Sequence, residues 1–238
     1  MKRIAVVLII LFVCAFIIDS YLAGTGNVVA RYLSKGLLMP LLLAWFLIAT
    51  KSYINNTNSR YRLYICFALL FSCAGDIFLI RPGSLNFICG IGAFLAAQVF
   101  YVLFFFRVKP LYKGNIGFAA TTAVIILAYL ITLNILMWEE VSEQQFVIPV
   151  FAYSMVLGLM LFASFNTYHA IRLRNCIARC FIAGAIIFVL SDSMIALNSF
   201  YLAKPLPGFY IMFTYCVAQF LIISGAIKFI NSYSSDPV

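Results

Sequence analysis

The chain has 238 residues, of which 65% are hydrophobic and only 10% charged, and its mean hydropathy is +1.07. A soluble domain carries about a quarter charged residues, so a water-exposed globule is excluded. The net charge of +9 would suit nucleic acid, but the positions of the charges serve membrane topology instead.

Apolar stretches of about 20 residues, each long enough to cross a hydrocarbon core of about 30 Å as a helix, recur from end to end. They predict spans over 4–23, 33–50, 62–80, 85–106, 115–137, 146–168, 176–200 and 208–230. The expected fold is all-α, a single transmembrane domain over 1–238 made of eight helices, with loops too short to hold a soluble domain. Strand-length alternation is absent, which removes the closed barrel, the other structure that satisfies its backbone in lipid.

Lys2 and Arg3 precede the first span, and Lys51, Arg60 and Arg62 separate spans two and three. Arg107, Lys109 and Lys113 follow span four, Arg172, Arg174 and Arg179 follow span six, and Lys228 ends span eight. The alternate loops hold only Arg31, Lys35, Arg81 and Lys204, together with Glu139, Glu140 and Glu143. Basic residues in every second loop are what the positive-inside rule requires of an even number of spans, and they place both termini in the cytoplasm. The opening Met-Lys-Arg has the look of a signal peptide. The apolar run behind it is too long for that and no Ala-x-Ala site follows promptly, so it reads as a retained helix. The absence of organelle signals and the short loops point to a bacterial inner membrane. Among seven cysteines there is no Cys-x-x-Cys pair, and they read as small buried apolar residues. His169, the single histidine, lies at the cytoplasmic end of span six without carboxylates nearby, so no metal site is expected.

Ionisable residues inside spans are costly and usually functional. Asp19, Asp76 and Asp192 qualify, on spans one, three and seven, which all run outward. At about 1.5 Å per helical residue, they stand roughly 24, 21 and 20 Å from Arg3, Arg62 and Arg179, a common level in the outer half of the membrane. Gln98 and Gln219 lie about 14 Å above Arg107 and Lys228. Tyr101 and Tyr215 share helix faces with these glutamines, and Tyr153 and Lys35 are expected nearby. Gly75 and Ser191 precede two of the acids and suit close helix packing. The expectation is a polar pocket opening toward the outer leaflet.

Asp76 and Asp192 are 116 residues apart, Gln98 and Gln219 are 121 apart, and Asp19 and Asn134 are 115 apart. Pro40 and Pro149 hold similar places in spans two and six. These offsets suggest two parallel four-helix halves, each giving one acid and one glutamine.

The segment 71–79, Phe-Ser-Cys-Ala-Gly-Asp-Ile-Phe-Leu, resembles the Gly-Asp motif of the YhhN family of membrane lysoplasmalogenases. The segment 184–196, which carries Ser191-Asp192, resembles that family's Ser-Asp motif. Ser34-Lys35 with Pro40, Gly92-Ala93-Phe94 with Gln98 and Tyr101, Pro149 with Tyr153, and Tyr215 with Gln219 follow in family order from span two to span eight. Gln98 departs from the family pattern, in which His is common, and this removes a proton-handling role from the position.

The resemblance implies hydrolysis of the vinyl ether of lysoplasmalogen to a fatty aldehyde and glycerophosphocholine or glycerophosphoethanolamine, with no metal or organic cofactor. Protonating the β-carbon of a vinyl ether gives an oxocarbenium ion that water captures. One carboxyl group then serves as acid and another, ionised, stabilises the cation and activates water, as in glycosidases. Asp76 and Asp192 are the candidates, with either in either role. Asp19, Lys35, Gln98, Tyr101, Tyr153, Ser191, Tyr215 and Gln219 are the candidate substrate-binding residues. On the same resemblance Lys35 or Arg81 receives the phosphate while the chain lies among Phe- and Leu-rich helices. Two other readings use the same residues: a proton-coupled transporter, and a non-enzymatic membrane protein whose acids pin helices together.

Overall fold

A computed structural model of the chain describes residues 2–23, 28–51, 56–111, 116–169, 175–204 and 206–233. Lys113, Arg172 and Arg174, and the side chains of Lys2 and His169, lie outside the described residues. The described residues form nine α-helices: α1 (Lys2–Leu22), α2 (Val28–Ala49), α3 (Asn56–Phe78), α4 (Ser84–Val108), α5 (Ile116–Leu136), α6 (Trp138–Glu143), α7 (Val147–Asn166), α8 (Asn175–Phe200) and α9 (Gly208–Tyr233). All but α6 are long and apolar enough to cross a membrane, so this is an integral membrane protein. Many of these segments are rich in β-branched and aromatic residues, which are indifferent helix formers in water. In lipid the backbone has no water to bond, and the helix is the way for one segment to satisfy itself.

Two boundaries differ from the sequence expectation. α2 begins at Val28 rather than at 33, so Arg31 and Lys35 lie one helical turn apart on its outer end. The six-residue α6 was not anticipated. Glu139 and Glu140 occupy its first turn, where the helix dipole favours negative charge, while Val141 and the neighbouring Met137 are buried against Phe146, Val150 and Phe200.

Breaks between helices have local causes. Pro82-Gly83 separates α3 from α4, and Gly83 takes φ 132°, a conformation open to glycine and rarely to other residues. Pro40 stands inside α2 and lacks the N–H that would bond the Gly36 carbonyl. Cys73 of α3 donates to that carbonyl instead, at 3.7 Å, so the proline's missing bond becomes a contact between α2 and α3.

The tightest pairings are α3 with α4 and α8 with α9, with α4 against α7 joining them. Toward the helix ends that carry Arg62, Arg107 and Arg179 an aromatic core closes the bundle: Tyr61 meets Phe229 edge-on at 5.1 Å, and Phe105 meets Phe181 at 5.2 Å. α1 and α5 are the least enclosed and turn residues such as Ile10, Ile17, Val124 and Ile131 outward, the pattern of a lipid-facing helix. The half near those arginines is thus filled with apolar side chains, and the buried acids collect in the other half.

Candidate active site

Asp76 projects from the outer end of α3 and is 1% exposed. Gly75 before it is required by packing: a Cβ there would stand 2.6 Å from the Phe94 ring of α4. The Tyr215 hydroxyl of α9 donates to Asp76 Oδ2 at 2.8 Å, and Lys35 Nζ of α2 lies 3.4 Å from Oδ1. Lys35 is thereby the buried counter-charge of Asp76, the arrangement that makes a carboxylate tolerable in a dry bundle.

A chain of hydrogen bonds backs this pair. Gln219 donates to Ser72 Oγ at 3.1 Å and lies 3.4 Å from the Tyr215 hydroxyl. The Tyr101 hydroxyl donates to Gln219 Oε1 at 2.5 Å. On the other side, Asp19 of α1 accepts from Ser34 at 2.8 Å and lies 3.8 Å from Arg31 Nε. Its Oδ2 is buried without a hydrogen bond. Arg31 and Lys35 are thus each paired with a carboxylate near the start of α2, and Arg81 is held 5.5 Å over the Tyr32 ring of the same helix.

Asp192 has different surroundings. It projects from α8 and accepts from the Tyr153 hydroxyl of α7, and among the described residues no cation pairs with it. It lines a narrow, partly open cleft of about 60 Å³ between α4, α5, α7 and α8, whose walls are otherwise mostly hydrocarbon. Asp192 keeps 8% of its surface exposed.

The two acids are neighbours. Asp76 is within electrostatic reach of Asp192, and Phe94 connects their surroundings: it lines the cleft and meets Tyr215 edge-on at 5.9 Å. Phe188, one turn below Asp192, meets Tyr215 at 5.7 Å. The expected polar pocket is therefore two compartments, one ionic and one apolar, that share an aromatic wall.

Gln98 lies beside Tyr153, yet both atoms of its buried carboxamide lack hydrogen-bond partners. A buried unpaired amide is costly, and this one stands near the junction of the two compartments. Ser191 turns away from both and donates to the Ile211 carbonyl of α9 at 3.1 Å. Among the described residues no group of three or more His, Cys, Asp or Glu side chains could hold a metal ion.

The model of the YhhN family matches residues 30–226. The chain belongs to the YhhN family. The human lysoplasmalogenase TMEM86B is 32% identical over 190 residues, covering 79% of this chain and 72% of that protein. The mouse lysoplasmalogenase TMEM86B is 32% identical over 161 residues, covering 68% of this chain and 62% of its own length. A lysoplasmalogenase of Mycobacterium bovis is 27% identical over 175 residues, 72% of this chain and 63% of that protein. The chain thus spans a little under two thirds of the mouse and mycobacterial relatives. No solved structure matches significantly.

In this YhhN protein Lys35, Asp76, Tyr101, Tyr215 and Gln219 fall in one connected cluster, Asp19 bonds to Ser34 next to Lys35, and Tyr153 and Asp192 form the adjoining pair. Sequence reasoning missed Arg31, Ser72 and Phe94. Ser72 is one helical turn before Asp76 and Arg31 one turn before Lys35, so helical spacing carried the signal for both. Phe94 stood out only as part of the Gly92-Ala93-Phe94 segment, and its role was hidden because it depends on which helix faces Gly75.

Proposed function

We propose that this protein hydrolyses the vinyl ether bond of lysoplasmalogen within the membrane, releasing a fatty aldehyde and a glycerophospho-base. The observation that carries the reading is the pair of neighbouring buried carboxylates in unlike surroundings, Asp76 against Lys35 and Asp192 against a phenol and a hydrocarbon cleft. The lysoplasmalogenase names of the YhhN relatives support it.

Asp192 is the acid and gives its proton to the β-carbon of the vinyl ether. The C=C electron pair forms the new C–H bond, and the cation is shared between the α-carbon and the ether oxygen. Asp76, held as carboxylate by Lys35, stabilises that cation and takes a proton from the water that adds to the α-carbon. The hemiacetal then collapses: the C–O bond to glycerol breaks, the glycerol oxygen takes a proton, and the aldehyde is left. Net, one water is consumed: the hemiacetal hydroxyl gives its proton to Asp192 and the glycerol oxygen takes the one held by Asp76, so Asp192 ends protonated and Asp76 ionised. Tyr153 and Tyr215 orient the carboxyl groups.

The chain works as one transmembrane unit over 1–238 with both termini on the cytoplasmic side of a bacterial inner membrane, a reading supported by the alternation of basic loops. The carrier alternative finds no such support: α8 runs unbroken through Asp192, whereas carriers build their sites on interrupted helices. The test is aldehyde release from lysoplasmalogen by detergent-purified protein, beside ester-linked lysolipid. Release from the vinyl ether alone is expected. No release from folded protein would overturn the reading.

A further inference from the structure

The cleft at Asp192 has walls that recognise hydrocarbon and nothing ionic. Leu79, Phe94, Leu133, Met137, Val150 and Phe200 supply much of its surface, and no basic side chain reaches it. Its polar members besides Asp192 are already engaged. Tyr153 donates to Asp192, Ser154 donates to the Phe151 carbonyl at 2.9 Å, and Ser193 donates to the Val189 carbonyl at 2.7 Å. A phosphate brought here would be stripped of water with no donor to replace it. The cationic side chains are across the Phe94 wall, where Arg31, Lys35 and Arg81 gather at the outer end of α2.

Resting on the function proposed above, we infer that the substrate lies across the two acids with a fixed polarity: its single hydrocarbon chain enters the Asp192 cleft, and its phosphate lies against Arg31 and Lys35. The vinyl ether, which joins chain to glycerol, then falls at the junction where Asp76, Asp192 and the unpaired Gln98 carboxamide meet. The orphaned amide gains a partner in the glycerol hydroxyl or ether oxygen. The cleft's far end is closed by the cluster of Met137, Val141, Phe146, Val150 and Phe200 beneath α6, so that cluster measures the chain. One cleft takes one chain, which favours lysolipids over lipids with two.

The experiment uses purified full-length protein and two readouts. One is aldehyde release from lysoplasmalogens of graded chain length. The other is thermal stabilisation by alkyl-ether lysolipids of the same lengths, which have no vinyl bond to cleave and report binding alone. Leu133→Trp, which fills the cleft, is expected to lower turnover and binding of long chains at least tenfold relative to short ones. Phe200→Ala, which opens its end, is expected to move the preferred length upward by several carbons and serves as the check should the Trp variant fail to fold. Arg31→Gln is expected to weaken binding about tenfold at every length alike. Aldehyde release with a chain-length profile unchanged in both cleft variants would overturn the inference while leaving the hydrolase reading intact. Length-dependent stabilisation that Leu133→Trp abolishes, without aldehyde release by the parent protein, would uphold the chain site and overturn the hydrolase reading. An Arg31→Gln variant that binds every lysolipid as the parent does would overturn the assigned polarity.

Discussion

Asp76, in the last turn of α3, and Asp192, two turns before the end of α8, are each preceded by a small residue and each accept from a tyrosine on another helix. Their second neighbours differ. Asp76 has the Lys35 ammonium 3.4 Å away and a network through Gln219 to Tyr101 and Ser72. Asp192 has an apolar cleft. The likeness extends to other pairs: Asp19 accepts from Ser34 at 2.8 Å between α1 and α2, and Asn134 donates to Ser154 at 3.2 Å between α5 and α7. Phe94 and Tyr215, each four residues before its glutamine, touch at 5.9 Å. What separates the surroundings of the two acids is charge. The first has Asp19, Arg31 and Lys35 around its acid, and the second has Asn134 where the first has Asp19. A repeated frame with charge kept on one side gives two carboxyl groups distinct work, much as two acids divide roles in glycosidases.

The largest expected effect comes from breaking the ionic side. Lys35→Met leaves Asp76 buried without a counter-charge and is expected to cost about 3–5 kcal/mol of stability, read as a lowered thermal midpoint in detergent. Adding Asp76→Asn to Lys35→Met is expected to recover most of that stability and none of the activity. Recovery of neither would mean that Lys35 serves packing rather than Asp76. On the apolar side, Tyr153→Phe removes the phenol from Asp192, and the loss of a hydrogen bond to a charged or polarised group, about 1.5–3 kcal/mol, predicts a fall in kcat of about 10–100-fold with the thermal midpoint little changed. Gly75→Ala drives a methyl into Phe94, and overpacking of this kind costs about 1–3 kcal/mol. Phe94→Leu in the same chain should restore the lost stability, and an unaltered midpoint in Gly75→Ala alone would contradict the contact. Ser191→Ala loses one bond to the Ile211 carbonyl, worth about 0.5–1.5 kcal/mol, with chain-length profile and kcat unchanged. A kinetic defect without a stability defect would return Ser191 to the site.

The eight spans were legible because lipid makes a single demand, a run of apolar residues long enough to cross, and the sequence meets it eight times. The acids were legible for the complementary reason, since Asp19, Asp76 and Asp192 violate that demand. Helix α6 was not, because six residues in an outer loop carry no periodic signal, and its burial depends on Phe146 and Phe200 arriving from α7 and α8. The division into ionic and apolar compartments was not legible either. Lys35 could be placed near the outer surface from its position in span two, but its choice of Asp76 over Asp19 depends on how α2 is rotated against α3. Ser191 looked like a site residue from its place beside Asp192, yet neighbours in a helix point about 100° apart, and α9 claims its hydroxyl.

The central claim is that both Asp76 and Asp192 are needed for vinyl ether hydrolysis. It is tested most directly by aldehyde release from lysoplasmalogen by the parent protein, Asp76→Asn and Asp192→Asn side by side, each checked for folding by its thermal midpoint. The account predicts release by the parent and a loss of at least about 10²-fold in each variant, the scale of removing a general acid or base. Release near the parent's rate by either folded variant would contradict it.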